Sequence, residues 1–328
     1  MKRTSVRVFS LVKGSLYASE LDLWIDASAG RERCYVSHGH SDHARRHALI
    51  IATPESGAIC RSRLGDDVAL ETHPYGEPFD VASARLTLFS AGHVLGSSQL
   101  LIECEQGRFV YTGDFKLGES LTCAQATVER CDVLLMECTF GRPRYVFPPR
   151  EEVCAALIAW VNAALDDGAT PVVYAYSLGK AQEAMAILGG AGYELMVHNA
   201  IDRLARVYIE HGVALPPYLP YEAGATDGRV VILPPSAGNA RMLAEMTAPR
   251  TAMLTGWAVD SGARYRGGVD AAFPLSDHAD FPSLLRYVEL AQPRKVLLQH
   301  GFKSFVNELR RCGVDAKFLE PNVQLSLF

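Results

Sequence analysis

No run of apolar residues in this 328-residue chain approaches the ~20 that a helix needs to cross a bilayer, so no membrane-spanning helix is expected. The basic opening, MKRTSVRVFSLVKG, has an apolar stretch too short and too interrupted for a signal peptide, and the expected location is the cytoplasm. Cysteine occurs 8 times without a single CxxC pair. Cys34, Cys104 and Cys138 lie in apolar, strand-like runs, which points to buried thiols rather than disulfides or a thiolate metal site. Positive charge is also short: the formal net charge is −5, which argues against coating nucleic acid through a general positive field. A local basic groove survives that test, because steering depends on how charge is distributed. Internal repeats and low-complexity segments are missing.

What is present is an ordinary globular composition, 48% hydrophobic and 21% charged, long enough for one large domain or two of usual size. The first part is strand-rich. RVFSLV, DLWID, CYVS, ARLTLFSA, SSQLLIEC, RFVYTGD and DVLLMECTF are separated by Gly, Pro and charged turns. From about Pro149 helices alternate with short apolar strands: EEVCAALIAWVNAALDDG, PVVYAY, GKAQEAMAILGG, ELMVHN and IDRLARVYIEHG. That alternation is the signature of a parallel α/β unit. It continues through RVVILPP, NARMLAEM and TAMLTGWAV to SDHADFPSLLRYVELAQP, KVLLQHG and KSFVNELRRCG.

The informative stretch is SHGHSDH, residues 37–43. His38 and His40, two apart at a strand end, can point to one side. Asp42 and His43 follow at what reads as the start of a helix, ARRHALI. Four ligand-type side chains so close crowd one tetrahedral ion but can be shared between two, and imidazole and carboxylate are ligands that zinc prefers. A lone histidine is usually solvated or hydrogen-bonded; a cluster this dense is better explained by metal. His93 in SAGHVLGSSQL, Asp114 at the end of RFVYTGD and His300 at the end of KVLLQHG each sit where an apolar strand stops. There a side chain can project from a rigid scaffold.

The order HxHxDH, GHxxGS, TGD resembles the metallo-β-lactamase superfamily, which implies a four-layer αβ/βα sandwich. Asp26, ending DLWID, matches that family's first motif, an aspartate that orients the ligands. MECTFG (Glu137), SDHAD (His278) and LQHGF (His300) resemble the three extra motifs of the β-CASP branch, whose members cut nucleic acids, and YSLGKAQE is similar to the helix start of its cap domain. The implied fold class is α/β, a metallo-β-lactamase sandwich with an inserted α/β β-CASP cap domain. The core is expected at 1–142 and 265–321, the insertion at 143–264, and a flexible tail at 322–328. The resemblance implies two zinc ions, with manganese as an alternative. His38, His40 and His93 would hold one, Asp42, His43 and His300 the other, and Asp114 would bridge. Asp42 and Asp26 count with the catalytic set. His278 would be the general acid, held by Glu137, since a carboxylate beside an imidazole raises its pKa.

An inserted domain over the site suits a polymer clamped in a groove better than a small thioester or lactam. Arg45, Arg46, Lys116, Arg142, Arg144 and Lys180 are the candidate backbone contacts, Lys180 at a helix start. A histidine at the last motif is frequent in RNA-processing members. HPYGEPF, GDFKL, ECTFGRPRY and AYSLGKAQ resemble bacterial DNA ligase-associated exonucleases instead. The leading expectation is a DNA exonuclease in repair; the alternatives are a β-CASP ribonuclease and a non-catalytic scaffold. DNA ligase and a helicase are the implied pathway partners. The final QLSLF is similar to the pentapeptide with which bacterial repair proteins dock on the sliding clamp, which would assign Gln324, Leu325, Leu327 and Phe328 to that partner. The competing reading packs it as a last half-strand.

Overall fold

The computed structural model describes residues 9–12, 14–235 and 239–319. The chain divides into two compact units. The first comprises Met1–Glu119, Ala124–Tyr145 and His278–Phe328, the second Ser120–Cys123 and Val146–Asp277.

In the first unit, β1 (Ser10–Val12), β2 (Ser15–Ala18), β3 (Leu23–Ile25), β4 (Arg33–Tyr35), β5 (Leu49–Ala52) and β6 (Leu70–Thr72) form one sheet in sequential order. A second sheet is built from β7 (Pro78–Val81), β8 (Ala84–Ser90), β9 (Ser98–Cys104), β10 (Gly107–Tyr111), β11 (Val133–Cys138) and the two last strands, β18 (Lys295–Gly301) and β19 (Asp315–Phe318). Its order is β19-β18-β11-β10-β9-β8-β7. Strand periodicity of two decides which side chains face which layer. Leu100 and Ile102 of β9 join Leu16, Ile25, Tyr35 and Tyr111 in the core between the sheets. The intervening Leu101 turns outward and packs with Leu284, Tyr287, Phe305 and Leu309. Those residues belong to α7 (Phe281–Ala291) and α8 (Phe305–Arg311). The first sheet buries Cys34, Val36 and Ile50 on its other side together with Cys60 of α1 (Pro54–Leu64). The layers are therefore helix, sheet, sheet, helix, the expected sandwich.

The second unit holds α2 (Arg150–Asp166), β12 (Pro171–Tyr174), α3 (Lys180–Gly190), β13 (Leu195–Val197), α4 (Asn199–Glu210), β14 (Tyr218–Pro220) and β15 (Val230–Leu233). It continues with α5 (Asn239–Ala244), β16 (Arg250–Leu254), α6 (Ala263–Gly267) and β17 (Ala271–Phe273). Its six-stranded sheet, ordered β14-β13-β15-β12-β16-β17, is parallel at every pairing. Val173, Val197 and Ile232 pack one face against α2, α3 and α4, while Val172, Val231 and Leu233 pack the other with Met242 and Leu243 of α5. Burial on both faces explains why these strands read as continuous apolar runs.

Three sequence expectations need correction. The segment after SHGHSDH is not a helix. A single turn closes with the Ala44 amide on His40 O at 2.7 Å, and then the Ala48 and Leu49 amides are taken by Arg31 O and Glu32 O. Those bonds draw ALI into the β4–β5 pairing. The return to the first unit comes at His278 rather than 265, because β17 pairs with β16 and keeps the intervening residues in the second sheet. Ser120–Cys123 also groups with the second unit. The QLSLF tail lies outside the described residues. Among the described residues, no helix is long and apolar enough to cross a membrane. All eight cysteines are free thiols; Cys34 and Cys138 are buried as expected, whereas Cys104 is only partly buried.

Gly301 occupies a backbone site that no other residue fits. Its φ is +126°, and a Cβ there would stand 1.9 Å from Cys138 O. Gly301→Ala is expected to cost about 3 kcal/mol or more, read as a lower midpoint in denaturant unfolding. An unchanged midpoint would show that the β11–β18 junction is looser than this.

Candidate metal centre and catalytic site

The centre is assembled at the ends of strands, and its geometry begins with Asp26. This residue follows β3 with φ +42°, a left-handed conformation that is uncommon outside glycine. The turn aims its carboxylate into the sandwich. Oδ1 accepts from the Ser37 amide at 2.7 Å; Oδ2 accepts from Ser37 Oγ at 2.6 Å and Tyr111 OH at 2.7 Å. His43 Nδ1 lies 2.8 Å from the same Oδ2, so it carries the proton and His43 Nε2 is left to face elsewhere. The Ser37 hydroxyl, having given its proton to Asp26, accepts from His38 Nδ1 at 3.0 Å. His38 Nε2 is thereby a lone-pair nitrogen, and it is buried with no hydrogen-bond partner.

An orphaned buried nitrogen is costly unless something occupies it. Asp114, after β10, brings Oδ2 to 3.7 Å from His38 Nε2, 3.5 Å from His43 Nε2 and 4.0 Å from His93 Nε2. These separations are too long for hydrogen bonds. They match the edges of a metal's coordination shell, since ligands at 2.0–2.1 Å in a tetrahedron stand ~3.4 Å apart. His93 is placed by its amide, which donates to Ser97 Oγ at 3.1 Å, and its Nε2 meets His40 Nδ1 at 3.0 Å. Two sets of ligand atoms converge: His38, His40 and His93, and His38, His43 and Asp114. The donor set fits a divalent metal of the zinc type.

Asp42 and His300 stand further out. Asp42 is exposed, with Oδ2 3.9 Å from His43 Nε2, and the His300 ring centre is 5.7 Å from that of His43. His300 reaches this position through a bulge. Glu137 pairs with Gln299 and Cys138 with Gly301, so His300 is the extra residue, at φ +46°.

Burial first, then the neighbouring His43 and His93, pull His38 well below the usual imidazole range and keep it neutral. Burial alone would lower His43 too, but Asp114 and then Asp26 outweigh it and hold that imidazole well above its ordinary pKa. For Asp114 burial works to raise the pKa; His43 and further imidazoles overcome this, and the carboxyl stays ionised far below the usual range. The pocket therefore keeps an anion in a buried place that is ready for a cation.

Beside this set lies an acid–base pair. Glu137 in β11 is almost completely buried, and its Oε1 accepts the Phe115 amide at 2.8 Å while Thr139 Oγ1 donates to Oε2. His278 Nδ1 is 3.0 Å from both carboxylate oxygens, which assigns the Nδ1 proton to that contact. Part of the His278 side chain remains exposed, and it lies within ligand distance of Asp114.

The candidate nucleic-acid contacts divide. Arg45 is exposed and Lys116 half-buried. Arg142 stacks over the Phe302 ring at 3.9 Å, and Arg144 donates to Tyr145 OH at 2.7 Å. Arg46 is already engaged by Asp67 and by Leu64 O. Lys180 is corrected: it is buried and donates to Asp277 Oδ1 at 2.6 Å, a closed ion pair rather than an open phosphate contact. Ser37, Tyr111, Gln299 and Thr139 escaped the sequence reading. Only the position of Ser37 inside the histidine motif offered a signal.

No family model matches the chain. It is 40% identical over 315 residues to a protein from Opitutus terrae named "Probable DNA ligase", a match covering 95% of this chain and 31% of that one. It is 38% identical over 122 residues to "Transcription termination factor FttA" of Cenarchaeum symbiosum, covering 36% of this chain and 19% of the relative. "RNase aCSPSF2" of Saccharolobus solfataricus is 32% identical over 127 residues, 38% of this chain and 25% of that protein. The chain thus spans less than a third of the length of these curated relatives. A crystal structure of a protein of unknown function from Enterococcus faecalis V583 shares the fold, with a TM-score of 0.62 at 14% identity over 89% of this chain and 80% of that one.

Asp26→Asn should lower zinc affinity ~10–100-fold by releasing the orientation of His43, and Asp114→Ala should lose more, both read by chelator competition. Zinc affinities equal to wild type in both variants would contradict the assignment.

Proposed function

The chain belongs to the β-CASP branch of the metallo-β-lactamase superfamily, and on that premise we propose that it is a metal-dependent phosphodiesterase that cuts nucleic acid, acting on DNA as an exonuclease in cytoplasmic repair. The observation that carries this reading is the convergence of three imidazole Nε2 atoms on Asp114 Oδ2 beside a histidine pinned by a buried glutamate. His38, His40, His93 and Asp114 would hold one zinc, and Asp42, His43, His300 and the same Asp114 a second. Metals bound there supply Lewis acidity at the phosphoryl oxygens and lower the pKa of a water. The residues of the chain do the rest. Asp26 and Ser37 hold His43 and His38 in the tautomers that expose Nε2. Glu137 holds the proton of His278 Nδ1, so that Nε2 can give its proton to the leaving oxygen.

The match over 95% of the chain to a protein named for DNA ligase supports DNA. Ligation itself is not proposed, because that match leaves over two thirds of the relative without a counterpart. A specific observation favours RNA as the second reading: shorter matches carry the names RNase and endoribonuclease. DNA ligase and a helicase are the proposed pathway partners, and QLSLF would recruit the protein to a sliding clamp.

Zinc- or manganese-loaded protein should shorten end-labelled single-stranded or duplex DNA; degradation of RNA alone would overturn the DNA reading. His278→Ala should keep its metal and lose ~10²–10⁴-fold in rate, as expected for general acid catalysis. Loss of metal in that variant would make His278 a ligand instead. Truncation at Asn322 should abolish calorimetric binding to the clamp, and equal binding by the truncated and full chains would remove that partner.

A further inference from the structure

Among the described residues, only three aromatic side chains outside histidine are exposed: Tyr176, Trp257 and Tyr265. They are 58%, 41% and 72% accessible. Chance would scatter three such rings over the surface. All three instead lie in the two connections that leave the carboxyl ends of β12 and β16, neighbouring strands of the second unit. Tyr176 follows β12 by two residues, and Trp257 stands in the 3-10 turn Gly256–Val259 just after β16. The β12–β16 ladder ends with Tyr174 paired to Met253, so Tyr176 and Trp257 stand two and four residues beyond that last pair.

This is also where the topology reverses. From β12 the chain passes through α3 to β13 on one side of the sheet; from β16 it passes to β17 on the other. In parallel α/β sheets the carboxyl ends of strands at such a reversal form the crevice in which ligands bind. The rings are held rather than loose. Lys180 Nζ, anchored on Asp277, sits 5.3 Å from the Tyr176 ring centre, and the Arg264 guanidinium lies 4.5 Å over Tyr265. The Trp257 amide is tied to Thr255 Oγ1 at 3.3 Å.

We infer that Tyr176, Trp257 and Tyr265, with Arg264, form a base-stacking platform for unpaired nucleobases of a polynucleotide. Exposed aromatics on a fixed frame are poor choices for a solvated surface but suit the flat faces of bases, which every nucleotide offers regardless of sequence. Paired bases are stacked inside a duplex and present no such face. The Arg264–Tyr265 pair adds a guanidinium able to reach a phosphate or stack in turn. The platform deepens the nucleic-acid reading above and rests on it for its ligand.

The test is fluorescence anisotropy with three labelled strands of equal length: single-stranded DNA, single-stranded RNA and an abasic DNA strand of the same charge. His278→Ala is the background, so that cleavage does not interfere. Binding should weaken about tenfold for each of Tyr176→Ala and Trp257→Ala, on either sugar, and the abasic strand should bind that much more weakly to the unsubstituted background. Trp257→Phe should retain most of the affinity, which separates stacking from a folding defect. Equal binding of abasic and normal strands, or Ala variants that bind like the background, would overturn the platform. The same substitutions in the cleaving protein should leave metal content and hydrolysis of a small, base-free phosphodiester unchanged. Base-dependent binding without any cleavage by the wild-type protein would sink the nuclease reading while leaving the platform standing.

Discussion

The carboxylate of Asp26 is the constraint on which the candidate metal centre depends. It accepts from the Ser37 amide, Ser37 Oγ, Tyr111 OH and His43 Nδ1, four contacts from three residues. Through Ser37 it also fixes the protonation of His38. Two imidazoles are thus committed to presenting Nε2 inward before any ligand arrives. Holding donors in place beforehand removes the ordering cost from the binding step. The fold supplies the means: a left-handed turn at Asp26, just after β3, directs its side chain to residues at the ends of β4 and β10.

That arrangement has an electrostatic consequence. Buried Asp114 would resist ionisation, yet the surrounding imidazoles hold it far below the ordinary carboxylate range, with His43 raised in return. A buried charge is tolerated when it is paired. Without a cation, the protonated His43 provides the pairing. A metal bound there would replace that proton, which would link metal uptake to proton release. Glu137 plays a parallel part for His278. It is buried, doubly supported by the Phe115 amide and Thr139, and restricted to one task.

Much of this was legible in the chain. SHGHSDH supplied the imidazoles and the carboxylate that gather there, and the placement of His93 and Asp114 at strand ends followed from apolar runs that stop at a polar residue. The alternation after Pro149 announced a parallel sheet, which the pairings bear out. What stayed hidden depends on backbone geometry and on distant partners. His300 reads as a plain strand end but is delivered by a bulge that only the pairing of β11 with β18 reveals. ARRHALI has helical composition, yet amides claimed by Arg31 and Glu32 pull it into a strand. Lys180 at a helix start looks like an anion contact, and its partner Asp277 is 97 residues away. Tyr111 and Gln299 read as strand interior, although the first supports Asp26 and the second supports the first.

The central claim is that the buried, unpartnered Nε2 of His38 and the Oδ2 of Asp114 are metal ligands. Anomalous diffraction at the zinc edge, from crystals of zinc-loaded protein, tests it directly. The account predicts a peak within about 2.0–2.2 Å of both atoms. Zinc found only elsewhere on the molecule, with His38 Nε2 hydrogen-bonded to a protein group or a water, would contradict it.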